Sequence, residues 1–207
     1  MKKLVSLLLT VVLLFSAAGC GNTATNTTSQ NTANQETNVQ TTYPVTVTDQ
    51  AGREVTIAEE PQRVVSGYYI STSLLIALGL ESKLVGIEAK AADRPIYQLS
   101  APELIELPNV GSAKQFDLEG CVALEPDLVI LPLKLSDAAD TLTELGIHVL
   151  LVNPEDQALS NEMRDLVAVV MNCQEKAQQL ADFVAEQEAF LAEATADSDR
   201  PSVYLAG

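Results

Sequence analysis

The side chains best suited to binding chemistry in this sequence are cations, because the chain is acidic and carries few of them. There are 28 Asp and Glu against 12 Lys and Arg, which gives a formal net charge of -16. Four of the cations, Lys90, Arg94, Lys114 and Lys134, fall in or near loops that follow predicted strands. They predict a positive rim for an anionic small molecule, with the planar fork of Arg94 suited to a carboxylate. The alternative is that all four are ordinary solvated loop residues.

Two adjacent tyrosines follow the first of these predicted strands, which ends at Ser66. A tyrosine ring has a flat apolar face and a polar tip, so Tyr68 and Tyr69 could contact a chelate or a macrocycle. Tyr97 and Phe116, in later loops, are weaker candidates for such contact. The alternative is that these rings only pack against their neighbours.

The composition gives little support to catalysis, to a metal centre or to nucleic-acid binding. His148 is the one histidine, and it lies in an apolar run, so we predict a core or edge residue rather than a metal ligand. Neither a Gly-x-Ser-x-Gly elbow nor a phosphate-binding loop occurs. Cys121 and Cys173 occupy apolar helical positions, where two buried thiols are favoured over a disulfide. We predict no enzyme activity, no metal and no cofactor, and the shortage of cations excludes a nucleic-acid surface.

The N-terminus carries an export signal. Two lysines precede an apolar run from Leu4 to Phe15, and small residues then lead to Gly19 and Cys20. The run is too short to span a membrane and is typical of a secretory signal. Small residues ending in Gly-Cys resemble a bacterial lipobox. We therefore predict that residues 1–20 are a lipoprotein signal peptide and that an acylated Cys20 anchors the protein outside the cytoplasm. An ordinary signal peptide with a chance cysteine is the alternative.

A polar segment separates this signal from the rest of the chain. Residues 21–42 are almost wholly Asn, Thr, Gln and Ser. Such a segment has too little apolar surface to offset the entropy of ordering. We predict a disordered linker with an r.m.s. span of about 25 Å.

The folded body starts with a predicted hairpin and continues as alternating strands and helices. Val45–Thr48 and Glu54–Ile57 alternate in polarity on either side of a turn at Asp49–Gly52. Apolar runs predict buried strands at Arg63–Ser66, Leu84–Ile87, Asp127–Leu131 and His148–Val152. Helical patterns cover Ser71–Leu80, Asp117–Leu124, Ser136–Leu145, Ser160–Met171 and Gln174–Ala194. This alternation predicts an α/β lobe with a parallel sheet, whose ligands bind outside the carboxyl ends of the strands.

The last residues predict one further strand. Asp197–Pro201 interrupts the long helix, and Ser202–Gly207 has the composition of a strand. A lone strand has no sheet of its own, so we expect this chain to be a fragment.

Several motifs in a fixed order resemble one family. The motifs are Asp49–Val55, Pro61–Val65, Ala77–Gly79 with Leu84–Ile87, Pro108–Gly111, Leu118–Glu119, Ala123–Ile130 and Leu145–Val149. Together they resemble the substrate-binding proteins of ABC importers for iron-siderophore, haem and cobalamin. The resemblance covers residues 43–207.

The resemblance implies two α/β lobes joined by one long helix, with the ligand held between them. Residues 43–157 would then be a Rossmann-like N-terminal ligand-binding lobe, and residues 158–196 would include the interlobe backbone helix. Residues 197–207 would begin a truncated C-terminal lobe. Only half of the cleft would be present, and the chain would bind ligand poorly or not at all.

The implied function is that of a lipid-anchored receptor that captures a ferric-siderophore-type iron chelate. It would deliver this ligand to an ABC permease dimer with its ATPase, and Glu119 would dock on permease arginines. Glu119 could instead only interact with the N-terminus of its own helix. Haem and a corrinoid are alternative ligands, although Ala113 stands where cobalamin binders can place Trp. An exported enzyme and a surface scaffold are the alternatives from other classes.

Overall fold

The computed structural model describes residues 40–199 and 201–204. The predicted signal peptide, Cys20 and nearly all of the predicted linker therefore lie outside the described residues. The strands are β1 (Val45–Thr48), β2 (Glu54–Ile57), β3 (Val64–Ser66), β4 (Leu84–Ile87), β5 (Gly111–Ser112), β6 (Gln115–Phe116), β7 (Leu128–Pro132) and β8 (His148–Val152). The helices are α1 (Tyr69–Ala77), α2 (Pro95–Ser100), α3 (Leu118–Ala123), α4 (Ser136–Glu144), α5 (Gln157–Val170) and α6 (Gln174–Ala194).

The central sheet has four parallel strands in the order β4-β3-β7-β8. Helices connect its strands, which confirms the α/β fold predicted from the sequence. Every residue of β3 and β7 is buried, as expected for strands covered on both faces. β1 and β2 form a separate antiparallel hairpin, and β5 and β6 form a second, shorter one.

Alternate strand residues supply the two layers of the core. Val64, Leu128 and Ile130 point to the layer that contains α1, α5 and the start of α6. Val65 and Val129 point to the opposite layer, which contains α3 and α4. The connections after β3 and after β7 thus leave on opposite faces of the sheet. The carboxyl ends of these two adjacent strands form the topological switch point where such sheets bind ligands.

The hairpin turn between β1 and β2 covers the free edge of β8 with side chains as well as backbone. The backbone N–H of Gln50 donates to the Leu151 carbonyl at 3.0 Å, and the Leu151 N–H donates to the Asp49 carboxylate at 3.1 Å. The Arg53 guanidinium donates to the Val149 carbonyl at 3.0 Å. These contacts satisfy edge groups that would otherwise be open to pairing with another chain.

Both cysteines of the described residues are buried and His148 lies in an edge strand, as predicted, although Cys173 precedes α6 instead of lying within a helix. Cys121 and Cys173 are free and buried, and burial raises the pKa of the Cys121 thiol to about 11. His148 begins the edge strand β8 and is half-buried. Within residues 40–199 and 201–204, no cluster of His, Cys, Asp and Glu is suited to hold a metal ion. In the same residues, no helix has the length and hydropathy needed to cross a membrane.

Four local features differ from the sequence prediction. One is that α5 begins at Gln157, directly after its cap Asp156, instead of at Ser160. α1 begins at Tyr69 rather than Ser71, soon after the end of β3, and no side chain caps its N-terminus. The segment between β4 and α3 contains α2, two 3-10 turns and the β5–β6 hairpin, none of which the sequence predicted. Residues 202–204 of the last predicted strand form no strand with any described residue.

Candidate functional site

Gly67 follows β3 at the carboxyl edge of the sheet, which is the edge formed by the C-terminal ends of its parallel strands. Its N–H donates to the Ile130 carbonyl of β7 at 2.9 Å. A Cβ added to Gly67 would lie 2.5 Å from Leu131 Cδ2 and 3.5 Å from Phe116 Cε2. A larger residue here would force the buried Leu131 side chain to shift, and the next two residues then lie at the edge. The half-buried ring of Phe116 is therefore a neighbour of this loop, although its own strand, β6, is far along the chain.

Tyr68 and Tyr69 form an aromatic pair at this edge. Their ring centroids are 5.2 Å apart and the planes meet at 73°, an edge-to-face arrangement. Tyr68 is half-buried against the core, whereas Tyr69 is 43% exposed. Burial, followed by the neighbouring Tyr69 and Glu155, raises the pKa of Tyr68. Tyr69 is thus the ring of the pair that a ligand can reach.

Arg94 lies on the face of Tyr69. Its guanidinium carbon is 4.3 Å from the centroid of that ring and 5.9 Å from the centroid of Tyr97. Stacking of this kind holds a guanidinium in a defined plane. The Arg94 side chain remains 31% exposed. The structure therefore brings together Tyr68, Tyr69 and Arg94, three of the six ligand residues predicted from the sequence.

Glu88, which the sequence analysis did not select, is the buried partner of Arg94. It is 5% exposed, and its Oε1 accepts a hydrogen bond from Arg94 Nε at 3.2 Å. Thr72 Oγ1, on α1, donates to Oε2 at 2.7 Å, and the Tyr97 hydroxyl, on α2, lies 2.8 Å from Oε1. The available sequence signal was a carboxylate directly after a buried strand, six residues before an arginine.

Tyr97 is not a ligand contact, although the sequence named it as a weaker candidate. Its ring is fully buried between α2 and α1, and its hydroxyl also lies 3.1 Å from the Tyr69 carbonyl. Burial, followed by the nearby Glu88 carboxylate, raises the pKa of Tyr97. The phenol therefore keeps its proton at neutral pH and donates a hydrogen bond to Glu88.

The three predicted lysines are exposed in separate loops, and the hydrogen bond of the Arg94 side chain within the described residues goes to Glu88 instead. Lys90 precedes Arg94 in the loop after β4 and has a left-handed backbone with φ of 69°. Lys114 lies in the turn between β5 and β6, and Lys134 in the 3-10 turn after β7. None of them forms a salt bridge with another residue of the described part of the chain.

Glu119 is exposed in the first turn of α3, as the sequence predicted. The helix is capped by Asp117, whose Oδ1 accepts from the Gly120 N–H at 2.9 Å. The cap predicted from the sequence is therefore confirmed. Because Asp117 already serves the helix N-terminus, Glu119 is free to present its carboxylate to solvent.

Two clefts lie away from the carboxyl edge. One, of about 420 Å³, is bounded by β2, α4 and β8 and includes Arg53, Asp140 and His148. The other, of about 400 Å³, lies between the end of α1 and α6 and includes Gly79 and Lys176. Neither contains a ligand residue predicted from the sequence. At the edge, the Tyr69 residue is 43% exposed and the Arg94 side chain 31% exposed, so both remain accessible in part.

The fold and this edge define a lobe of the doubly wound α/β class, with an aromatic and cationic surface at its switch point. The sequence model of the periplasmic binding protein family matches residues 64–207, and the chain belongs to that family. The resemblance deduced from the motifs is confirmed at the level of the family.

Individual relatives agree with this assignment. The chain is 33% identical over 181 residues to YvrC, an ABC transporter substrate-binding lipoprotein of Bacillus subtilis, covering 84% of this chain and 52% of the relative. MolA, the molybdate-binding protein of a Haemophilus influenzae ABC transporter, superposes with a TM-score of 0.66 at 21% identity, over 75% of this chain and 55% of MolA. Staphylococcus aureus SirA, complexed with staphyloferrin B, superposes with a TM-score of 0.62 at 19% identity, over 73% of this chain and 51% of SirA. At these identities the two structures establish the fold alone. The chain spans about half the length of these relatives.

Proposed function

We propose that this chain is the ligand-binding part of a non-catalytic extracytoplasmic receptor. It captures an anionic iron chelate of the ferric-siderophore type and delivers it to the permease dimer of an ABC importer with its ATPase. The observation that carries the proposal is the stacking of Arg94 on Tyr69 at the switch point of the sheet. A fixed cation beside an aromatic face suits an anionic chelate with a flat apolar part.

Charge and relatives support the same function. Lys90, Lys114 and Lys134 lie in loops near the carboxyl edge of an otherwise acidic chain, where they would attract an anion. SirA is complexed with staphyloferrin B. MolA binds molybdate, so the family fold also serves a simple oxyanion. The proposal therefore depends on the aromatic component of the edge as well as on its charge.

A binding panel tests the proposal. Because the chain has no Trp and five Tyr, calorimetry or tyrosine fluorescence can follow binding of carboxylate and catecholate ferric siderophores, haem, cobalamin and molybdate. We expect an intact version with both lobes to bind anionic ferric chelates, with recovery of unchanged chelate, since a receptor does not turn its ligand over. Indifference to all ligands or a preference for cobalamin would contradict the proposal. A preference for haem supports the alternative ligand of the same receptor class, and chemical conversion of the ligand supports an enzyme.

We propose further that the protein is anchored to the cell membrane by lipid on Cys20. The Bacillus subtilis relative is named a lipoprotein, which supports an anchor of this type. Replacing Cys20 with serine removes the thiol that is acylated, so the protein should leave the membrane fraction or accumulate with its signal peptide. Fractionation and electrophoretic mobility measure this. Cys121→Ala, which removes a buried thiol, is the matched control and should stay in the membrane fraction. Identical fractionation and mobility of Cys20→Ser and the parent would disprove the anchor.

Glu119 is proposed as a permease-docking residue, since it is exposed and its helix is capped by another residue. Replacing Glu119 with alanine should leave ligand affinity unchanged and reduce uptake, with docking weakened by about 1 kcal/mol or less, as for an exposed ion pair. The loss should shrink at high salt. Glu144→Ala, at the exposed end of α4, is the control with the same chemical change. Normal uptake by Glu119→Ala, or a loss matched by poorer folding, would return Glu119 to a helix-terminal role.

A further inference from the structure

Arg94 is held on two sides, and the geometry determines which of its hydrogen-bond donors remain free. Nε donates to Glu88 Oε1 at 3.2 Å, and the guanidinium lies 4.3 Å from the Tyr69 centroid. Neither terminal nitrogen makes a hydrogen bond with any residue that the structure describes. A guanidinium can meet a carboxylate through its side edge, which includes Nε, or through its end edge, formed by Nη1 and Nη2. Because Glu88 occupies Nε, the end edge is the one left for a ligand.

Glu88 is in turn fixed by groups that carry no charge. Thr72 Oγ1 donates to it at 2.7 Å and also lies 2.8 Å from Ser66 Oγ, which ties the carboxylate to β3 and α1. The Tyr97 hydroxyl, 2.8 Å from Oε1, ties it to α2. Arg94 is the one cation within salt-bridge distance of Glu88 among the described residues. A buried carboxylate is costly without a charged partner, so this pair keeps Arg94 in place.

We propose that Glu88 is a positioning residue for ligand binding at the carboxyl edge of the sheet. It holds Arg94 so that Nη1 and Nη2 face the anionic group of the ligand. This inference rests on the proposed function, since it needs an anionic ligand at Arg94. It also narrows the ligand class. The end edge matches an anionic group with two oxygens side by side, such as a carboxylate, and gives no fork advantage to a spherical anion.

A positioning role for Glu88 and simple electrostatics predict opposite changes in ligand affinity for the variant Glu88→Gln. Glu88→Gln removes a negative charge beside Arg94, and by Coulomb's law alone this strengthens the binding of an anion. If Glu88 positions Arg94, the same change loosens the guanidinium, and the ligand must then bear the cost of ordering it. Glu155→Gln is the matched charge control, because Glu155 is exposed in the loop after β8 and is close enough to raise the pKa of Tyr68.

The first measurement is calorimetry of an intact version with both lobes of the cleft, because half a cleft is expected to bind poorly. Ferric citrate, a carboxylate-rich anionic ligand, is the probe. Glu88→Gln should weaken binding about 2- to 12-fold, the cost of ordering one long side chain. Glu155→Gln should bind as tightly as the parent or more tightly. In an Arg94→Ala background, Glu88→Gln should cause no further weakening, because Glu88 acts through Arg94. Equal or tighter binding by Glu88→Gln in the parent background overturns the proposal.

The second measurement needs no ligand. Phenylglyoxal modifies free guanidinium groups, and mass spectrometry gives the rate at Arg94. We expect Glu88→Gln to raise that rate several-fold and Glu155→Gln to leave it unchanged, whereas equal rates in Glu88→Gln and the parent overturn positioning. If ferric citrate binds to neither the parent nor any variant, the ligand assignment fails, while the modification rate at Arg94 still decides the role of Glu88.

Should Glu88→Gln fail to fold, as measured by circular dichroism, Tyr97→Phe replaces it. That variant removes one support of Glu88 without a change in charge, and an unchanged rate at Arg94 again overturns the proposal.

Discussion

Replacing Asp49 with alanine is expected to lower the free energy of unfolding by about 3 kcal/mol. The Asp49 side chain is fully buried. It accepts hydrogen bonds from the backbone N–H groups of Ala51 and Arg53 at 3.0 and 2.9 Å, and from Leu151 of β8 at 3.1 Å. The Arg53 guanidinium pairs with it at 2.9 Å.

The size of this effect follows from what the substitution leaves behind. Removing one partner of a buried pair costs about 3 to 5 kcal/mol, and Arg53 is 26% exposed, which places the effect at the lower end. The N–H of Leu151 would also lose its partner at the edge of the sheet. Urea unfolding followed by circular dichroism measures the change.

Asp156→Ala is the matched control for Asp49→Ala. Asp156 is exposed and caps α5 by accepting from the Leu159 N–H at 2.8 Å. Its removal should cost about 1 kcal/mol, as for an ordinary N-cap. If Asp49→Ala loses no more stability than Asp156→Ala, the hairpin turn does not hold the β8 edge as the structure indicates.

Replacing Arg94 with alanine should weaken binding of an anionic ferric chelate by about 1.5 to 3 kcal/mol, or roughly 10- to 150-fold, if a charged hydrogen bond to the ligand is lost. The reason for this expectation is that the terminal nitrogens of Arg94, beside the exposed ring of Tyr69, make no hydrogen bond with the described residues. Titration calorimetry with the ferric chelate that binds most tightly in the panel measures it. The observable is the ratio of affinities between variant and parent.

Arg94→Ala also leaves the buried Glu88 without its cation, so stability must be measured alongside affinity. Titrations are therefore compared at a temperature where both proteins are folded. Lys176→Ala is the charge control, because this exposed lysine lines the cleft between α1 and α6 rather than the carboxyl edge. An affinity loss no greater than that of Lys176→Ala would reduce Arg94 to a structural partner of Glu88.

The central strands could be predicted from the sequence because burial on both faces requires apolar residues within the strand itself. β4 and β8 have the predicted bounds. β3 begins one residue later than predicted, and β7 is displaced by one residue at both ends. A strand covered on both faces requires a continuous apolar run, which is visible without knowledge of its neighbours. The long α6 likewise has its predicted bounds, since its sequence keeps helix-forming residues throughout.

The segment between β4 and α3 could not be predicted in the same way. It contains short elements such as α2, whose six residues are too few to show a helical period. Tyr97 of α2 is buried because its hydroxyl meets Glu88 and the start of α1. Residues from other elements supply that environment. The local sequence alone therefore predicted that Tyr97 lies in a loop.

The sequence by itself determined the class of fold, the acidic character of the chain and the cations and tyrosines that lie near strand ends, because residue type and spacing carry these properties. Only the tertiary structure decided which of these residues act together. Arg94 meets Tyr69, which is 25 positions earlier in the numbering, and rests on Glu88, while the three lysines remain apart. The physical reason is that a parallel sheet brings the carboxyl ends of separate strands to one edge, and the packing of the connecting helices then decides which side chains touch.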